Sequence, residues 1–256
     1  MSLINVEYQQ PKVALVTLND PDNLNAMSEG MAAEFREVTK RLQSEAPLAI
    51  VLTGAGRAFS AGGDLKMLEA KTKLSPEENR RRMLEFYDSF LGILKLNIPL
   101  IAAINGHAVG AGLCLASACD IRIASENAKL GVTFTKLGLH PGMGATYFLP
   151  RLLGTSLARE LMITGRMLLA DETLRAGLVS KVVKPEELLP SVYALCNELR
   201  ACGPLSVRQV LESLRLEAGD LSTALNREAT CQSVNYSSDE FKEGVRAVIE
   251  KRAPNF

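Results

Sequence analysis

Residues 106 to 120 read GHAVGAGLCLASACD and place a glycine-rich turn between two kinds of regular structure. Before the turn, Leu100 to Ile104 is a short apolar run that is typical of a buried strand. After the turn, the small and apolar residues from Gly110 to Ala118 predict a helix. This order of strand, glycine turn and helix indicates an α/β protein.

An earlier segment has the same beginning. The apolar run Ala49 to Thr53 leads into TGAGRAFSAGGDL, which ends at Leu65. Glycine lacks the Cβ that keeps a ligand away from the main chain, so each turn can present bare N–H groups. Two such turns side by side can aim two donors at one oxygen and stabilise the oxyanion or enolate of a thioester. The alternative is that the glycines only permit tight turns and close helix packing.

Other uses of glycine-rich turns fit these residues poorly. A dinucleotide-binding fingerprint needs a third glycine where GAGRAF has Phe59, and neither turn is followed by the GK[ST] of a phosphate-binding loop. The run AFSAG around Ser60 lacks the first glycine of a nucleophile elbow, and a triad would have to recruit His107 or His140. The residues therefore argue against nucleotide binding and serine-hydrolase chemistry.

The rest of the pattern places strands early and helices late. Two β-branched runs, Ile4 to Gln9 and Val13 to Leu18, predict a hairpin or two adjacent strands. Ser28 and Ser75 stand at the N-cap positions of two predicted helices. From Ala145 onward helical signals dominate, and no linker-like run divides the chain. We therefore expect one main domain with a helical C-terminal extension.

Composition narrows the class of partner. The 29 basic and 29 acidic residues cancel, so the chain has no general attraction to nucleic acid or to an anionic membrane. It has neither a run of about 18 apolar residues nor a signal-peptide pattern, which predicts a soluble, cytoplasmic protein. The five cysteines form neither a CxxC pair nor a cluster with the two histidines. We therefore expect reduced thiols and no metal site.

Several motifs in one order resemble the enoyl-CoA hydratase/isomerase (crotonase) family over nearly the whole chain. They are GRAFSAGGDL, INGHAVGAGLCLASACDIRIAS, KLGLHPGMGATYFLPRLLG, TGRMLLADETLRAGLVSKVV and, at the end, SSDEFKEGVRAVIEKRAPNF. The resemblance implies a crotonase-type spiral of repeated β-β-α units at residues 1–195, which holds the coenzyme A and acyl pocket. It also implies a helical C-terminal region at 196–256 that helps to assemble a trimer or a dimer of trimers.

By position in these motifs, the resemblance implies an oxyanion hole formed by the N–H groups of Gly63 and Ala111. Ala111 stands where the family usually has glycine, but a helix N-terminus supplies the N–H and the dipole even with a methyl group attached. A further set of residues is expected to contact the substrate and its coenzyme A: Ala61, Gly62, Asp64, Leu65, Gly110, Cys114 and Phe134. Coenzyme A is part of the substrate, and no separate cofactor is implied.

Three positions depart from the acid and base residues of the family. Its hydratases carry two glutamates that activate a water molecule, and here those positions are Cys114 and Phe134. Some of its isomerases carry a carboxylate where this chain has Gly142. A buried thiol resists ionisation and a phenyl ring exchanges no proton, so two-glutamate hydration is not expected. His140 is the nearest candidate acid or base, and the alternative is a structural histidine that bonds the backbone.

The resemblance implies an acyl-CoA-handling enzyme of the lyase or isomerase type, of the kind used in fatty acid metabolism. It would stabilise a thioester enolate for isomerisation, decarboxylation or another enolate reaction. A catalytically silent acyl-CoA-binding protein is the main alternative, because the acid positions are lost. RNA binding, known in one branch of the family, is disfavoured by the zero net charge and the absence of Lys/Arg-rich stretches.

Overall fold

Strands and helices alternate through the first two thirds of the computed structural model, which describes residues 2–216 and 219–256. The strands are β1 (Ile4–Gln10), β2 (Val13–Leu18), β3 (Ala49–Gly54), β4 (Ala58–Ser60), β5 (Leu100–Ile104), β6 (His107–Val109), β7 (Ile121–Ser125), β8 (Lys129–Gly131), β9 (Met167–Leu169) and β10 (Lys181–Val183). The helices are α1 (Glu29–Glu45), α2 (Leu65–Lys71), α3 (Pro76–Leu91), α4 (Ala111–Ala118), α5 (Ala145–Thr164), α6 (Ala170–Arg175), α7 (Leu188–Arg200), α8 (Pro204–Leu216), α9 (Leu221–Ser237) and α10 (Asp239–Glu250).

The strands form two sheets, and from β3 to β8 successive strands belong alternately to the larger and the smaller sheet. The larger sheet has the order β1-β2-β3-β5-β7-β10 and is parallel except between β1 and β2. The smaller sheet has the order β4-β6-β8-β9 and is parallel except between β8 and β9. Each of β3, β5 and β7 is followed by a short strand of the smaller sheet and then by a helix. The expected spiral of β-β-α units is therefore confirmed.

Both faces of the larger sheet are covered, which explains why its strands read as continuous apolar runs rather than alternating ones. Along β3, Ile50 faces the main core and Val51 faces the opposite side. Helix α7 covers that opposite side with Val192 and Cys196, which are both fully buried. The domain boundary expected at residue 195 lies within this helix, so the part of the chain that packs on the sheet continues beyond it.

The predicted helix starts are confirmed, whereas several short strands were not predicted. Ser28 accepts a hydrogen bond from the N–H of Met31 at 3.1 Å, and Ser75 accepts one from the N–H of Glu78 at 3.2 Å. Strands β4, β6, β8, β9 and β10 have three residues each. Three residues carry too little alternation to identify a strand, and these segments are extended because a neighbouring strand pairs with them.

Helix α8 is tied to the strands by a partly buried ion pair. The Arg215 guanidinium donates to the Asp120 carboxylate at 2.7 Å and to the carbonyl oxygen of Leu94 at 2.7 Å. Asp120 also accepts from the N–H of Leu100 at 2.8 Å, so it joins the end of α4, the start of β5 and α8. Within residues 2–216 and 219–256, every helix is too short or too polar to span a bilayer.

Candidate active site

The two glycine turns lie in direct contact. Strands β4 and β6 pair in parallel, which carries the turn at Ala61–Gly63 next to the turn at Gly110–Ala111. Gly62 has a φ of +94°, and a Cβ built on it would lie 2.7 Å from the carbonyl oxygen of Val109 and 3.4 Å from the nitrogen of Ala111. Only glycine allows both this conformation and this approach. Gly62 is therefore the point at which the two turns meet.

The N–H of Gly63 is directed away from its pairing partner. Gly63 forms a parallel bridge with Met27: the N–H of Met27 donates to Gly62 at 2.7 Å, and the N–H of Asp64 donates to Met27 at 3.2 Å. In a parallel pair the residue between those two bonds turns its own N–H to the other side. Among the residues that the structure describes, this N–H has no acceptor. Gly63 lines a cavity on that side.

Ala111 supplies a second backbone donor because it is the first residue of α4. The N–H of Gly110 donates to Gly131 at 2.9 Å, and the helical bonds begin with the N–H of Cys114, which donates to Gly110 at 3.1 Å. The N–H of Ala111 lies between them and has no acceptor within the described chain, as expected for the first turn of a helix. The helix dipole adds a partial positive charge at this point.

Close packing of α4 on β4 fixes that donor. A Cβ built on Gly112 would lie 2.6 Å from the Cβ of Ser60, so only a glycine lets the helix approach the strand this far. Ser60 in turn accepts a hydrogen bond from the N–H of Gly62 at 3.1 Å and donates to the carbonyl oxygen of Asn25 at 2.8 Å. Both turns are thus held by the same buried serine.

The two donors open into one cavity of about 540 Å³. Its lining includes most of the residues predicted to bind the substrate: Ala61, Gly62, Gly63, Asp64, Leu65, Gly110, Ala111 and Phe134. The inner wall is apolar, with Met67, Met83, Phe86 and Met143 buried or half-buried. The charged side chains of Asp22, Arg57 and Lys66 also line the cavity and are exposed. A cavity of this kind accepts an apolar chain inside and a charged group at its mouth.

Asp64 and Phe134 have separate roles in the wall. The Asp64 carboxylate accepts the N–H of Met67 at 2.7 Å and caps α2, so it orders the turn in addition to lining the cavity. The half-buried ring of Phe134 lies 3.9 Å from the place of a Cβ on Gly110, beside the backbone donors. Phe134 therefore closes the cavity with an apolar surface at a position for which the resemblance implies a glutamate in the family's hydratases.

Cys114 lies behind the cavity rather than in it. Its side chain is fully buried, it is not part of the lining, and burial raises the pKa of its thiol to about 12. The thiol is therefore neutral at physiological pH and is neither a base nor a nucleophile there. Cys114 is therefore not among the residues that line the cavity, and its contact with the substrate stays a prediction.

His140 is on the surface and outside the lining of the cavity. Its Nδ1 lies 2.8 Å from the carbonyl oxygen of Pro141, and because a carbonyl only accepts, Nδ1 carries the hydrogen. This is the backbone-bonding alternative that the sequence left open. No group of three or more His, Cys, Asp or Glu residues in the described ranges is placed to hold a metal ion.

Tyr87 is a cavity residue that sequence reasoning missed. It lies on α3, is half-buried and lines the cavity. A Cβ built on Gly142 would lie 2.5 Å from its hydroxyl oxygen, so the phenol fills the space of a side chain at that position. A signal was present in the sequence. Tyr87 follows Met83 by four residues and therefore shares the buried side of the helix, where a tyrosine hydroxyl needs a polar partner.

The comparison with known families agrees with this geometry. A model of the family described as enoyl-CoA hydratase/isomerase matches residues 8–256. Together with the spiral of two sheets and the paired glycine turns, this match covers the strands, the cavity and the C-terminal helices. The chain belongs to the enoyl-CoA hydratase/isomerase family.

Individual relatives are similar over their full length. The short-chain-enoyl-CoA hydratase of Clostridium acetobutylicum is 37% identical over 98% of this chain and 97% of its own. The crotonyl-CoA hydratase of Syntrophomonas wolfei is 36% identical over 97% of this chain and 95% of its own. The crystal structure of an enoyl-CoA hydratase from Bacillus anthracis superposes with a TM-score of 0.90, at 34% identity over 99% of this chain and 98% of that one.

Proposed function

We propose that this protein is an acyl-CoA-handling enzyme that stabilises the enolate of a thioester with the N–H groups of Gly63 and Ala111. The observation that carries the proposal is that these two N–H groups lack protein acceptors among the described residues and belong to turns in direct contact. Donors that are fixed before the reaction lower the barrier because they need no rearrangement when charge develops on the oxygen. The chemistry needs no cofactor besides the coenzyme A of the substrate.

The substrate class follows from the relatives and from the cavity. Relatives at 36 to 37% identity are named as hydratases of short-chain enoyl-CoA and of crotonyl-CoA, which are thioesters of coenzyme A. The apolar wall suits an acyl chain, and Arg57 and Lys66 at the exposed end can neutralise phosphate charges. We therefore assign an acyl-CoA thioester as the substrate.

Hydration by two glutamates is not the reaction that we propose. A hydratase must take a proton from water and give one to carbon, and carboxyl groups with suitable pKa values do both. At the corresponding positions Phe134 has no exchangeable proton, and burial keeps the Cys114 thiol protonated. An apolar wall also gives a catalytic water few partners to hold it. An enolate reaction without that water fits these residues better.

The C-terminal helices support assembly into the trimer or dimer of trimers that the resemblance implies. A groove of about 630 Å³ between α9 and α10 is lined by apolar side chains of α10, by Tyr236 of α9 beside the polar Gln232 and Asn235, and by Phe256. Val248 and Ile249 are 79% and 75% exposed, which is unusual for large aliphatic residues side by side. Burial of these side chains against a second copy would remove that surface from water. The molar mass from light scattering tests this assignment.

The function is tested by turnover and binding of three coenzyme A thioesters with matched six-carbon chains. They are 2-hexenoyl-CoA, 3-hexenoyl-CoA and 2-carboxyhexanoyl-CoA, with products followed by mass spectrometry and binding by calorimetry. We expect all three thioesters to bind and at least one of them to be converted through an enolate. Binding of all three without any product would instead establish a silent acyl-CoA-binding protein. Rapid hydration of 2-hexenoyl-CoA would contradict the loss of the two-glutamate reaction.

A further inference from the structure

The cavity contains one proton-exchanging side chain that is shielded from solvent and free of another task. Among the described residues of its lining, Asp22, Arg57 and Lys66 are exposed, and Asp64 is engaged as the cap of α2. Among the described lining residues, the remaining side chain acidic enough to act as a proton donor is that of Tyr87, since the Thr133 hydroxyl is a much weaker acid than a phenol. Its phenol carries an exchangeable proton, which Phe134 and Gly142 lack, and it lines the cavity, which Cys114 does not.

The hydroxyl of Tyr87 stands where two of the family's acid positions meet. It occupies the space in front of Gly142, since a Cβ there would lie 2.5 Å from it. It is also near the Cys114 thiol, which burial keeps neutral at physiological pH. Cys114 follows Ala111 by three residues on α4, one turn of helix from the backbone donor. The phenol of Tyr87, on α3, therefore lies close to the two positions, Cys114 and Gly142, at which the resemblance implies acids in other family members.

The hydrogen bonding leaves the Tyr87 proton available. The N–H of Met143 bonds the phenol oxygen, which occupies a lone pair but not the proton. No acceptor for the O–H is present within residues 2–216 and 219–256. Burial raises the pKa of the phenol more than the Met143 bond lowers it, so the group stays protonated at physiological pH. A neutral phenol in this state can give a proton and cannot take one.

We propose that Tyr87 is the catalytic residue that protonates the enolate carbon of the bound thioester. The assignment rests on the proposed function, because it needs the enolate held by Gly63 and Ala111. The electron pair of the enolate forms a new Cα–H bond with the phenol proton, and the O–H pair stays on the oxygen as phenolate. The N–H of Met143 stabilises that phenolate until water at the cavity mouth returns a proton.

Because Tyr87 can donate a proton but cannot accept one, the enolate must form by a reaction that needs no base. Removal of an α-proton requires a base, which a neutral phenol does not supply. A 2-carboxyacyl thioester needs none: its Cα–carboxylate bond breaks, CO₂ leaves, and the electron pair delocalises onto the thioester oxygen between the two N–H groups. Tyr87 then supplies the single proton that balances the reaction. The substrate class assigned by this reasoning is a 2-carboxyacyl-CoA.

The test compares variants on 2-carboxyhexanoyl-CoA in D₂O, with deuterium at Cα and release of CO₂ as readouts. Tyr87→Phe removes only the hydroxyl, and we expect kcat to fall about 100- to 10,000-fold while Kd changes little. Gly142→Ala places a Cβ at the phenol oxygen, so it should displace the hydroxyl and lower kcat as well. The matched control is Tyr193→Phe, whose hydroxyl bonds Gln9 at 2.8 Å outside the cavity and whose loss should leave kcat unchanged.

The pH profile separates an acid from a merely structural tyrosine. Because the acid must be protonated, wild-type kcat should hold at neutral pH and decline as pH rises toward the raised pKa of the phenol. Full kcat in Tyr87→Phe overturns the assignment of Tyr87 and leaves the proposed function standing. If the wild type converts only 3-hexenoyl-CoA and Tyr87→Phe abolishes that reaction, the role of Tyr87 stands. The assignment of a 2-carboxyacyl-CoA as the substrate class is then overturned. Absence of turnover in the wild type on all three thioesters overturns both the assignment and the proposed function.

Discussion

The cavity has a backbone half and a side-chain half, and the two differ in how the chain builds them. The backbone half consists of the N–H groups of Gly63 and Ala111, which the pairing of β4 with β6 and the start of α4 hold in place. The side-chain half consists of lining side chains such as Phe134 and Tyr87, and Cys114 and Gly142 lie outside that lining. The resemblance implies acids in other family members at the positions of Cys114, Phe134 and Gly142. Strand pairing fixes an N–H whatever the neighbouring side chain is, whereas one substitution removes a carboxylate. A backbone donor is therefore less sensitive to a single substitution than a side-chain acid is.

The largest expected effect comes from removing a donor of the backbone half. Gly63→Pro deletes an N–H that has no acceptor among the described residues, so no internal hydrogen bond is lost with it. Ala111→Pro deletes the other donor at the first position of α4, where proline is tolerated. We expect each variant to lower kcat about 100- to 1,000-fold on the substrate that the wild type turns over.

The control for this prediction is Gly63→Ala, which keeps the N–H. Its Cβ would lie 3.6 Å from Leu68, an ordinary contact, so the variant should fold. The loss in kcat should be much smaller than in Gly63→Pro, and the difference between the two variants measures the contribution of the N–H. Equal losses in both would assign the effect to crowding and not to the donor.

The next effect concerns the anchoring of helix α8, in the C-terminal region, to the strands that carry the backbone half. Arg215→Met removes the guanidinium that joins α8 to Asp120 and leaves this carboxylate, 19% exposed, with fewer donors. We expect the free energy of unfolding to fall by about 1–3 kcal/mol, measured by urea denaturation. Lys242→Met breaks an exposed pair and should lower the free energy of unfolding much less. A similar loss in both variants would refute the anchoring role of Arg215.

A smaller effect is expected from the side-chain half. Phe134→Ala removes an apolar wall beside Gly110 without removing a hydrogen-bonding group. Part of the acyl chain then contacts water, and we expect Kd for hexanoyl-CoA to rise about tenfold, which is about 1.4 kcal/mol. Calorimetry measures this change. An unchanged Kd would show that the acyl chain does not reach Phe134.

The smallest effect concerns the thiols. Burial raises the pKa of Cys114 and of Cys119 to about 12, so iodoacetamide at neutral pH should modify exposed Cys202 and leave these two intact until the protein unfolds. In the unfolded chain both thiols ionise at about pH 8.5. The stability that they contribute is therefore fully present below that pH and is lost as the pH rises toward 12. Peptide mapping after labelling checks the first part, and urea denaturation at pH 8 and 10 checks the second.

The sequence predicted the long elements, and it did not predict that Tyr87 is part of the side-chain half. The role of Gly63 and Ala111 as oxyanion donors stays a prediction. Leu100–Ile104 and the cap at Ser75 have strong local signals, and the structure has them at the predicted places. Strands such as β8 and β9 have three residues each, and they are extended because a neighbouring strand pairs with them. Their local sequence therefore does not predict them. His140 was a candidate because it is near Gly142 in the sequence. The residue that lines the cavity is Tyr87, which is on α3 and far from Gly142 in the sequence.

The most direct test of the backbone half is the carbonyl stretching frequency of bound hexanoyl-CoA labelled with ¹³C at the thioester carbon. This saturated thioester lacks the leaving carboxylate, so the measurement reports binding alone. The account predicts a lower frequency on the wild-type protein than in water, because two fixed donors polarise the carbonyl. It also predicts that Gly63→Pro and Ala111→Pro each remove part of that shift. The same frequency in the wild type and in both proline variants would contradict the assignment of the two N–H groups.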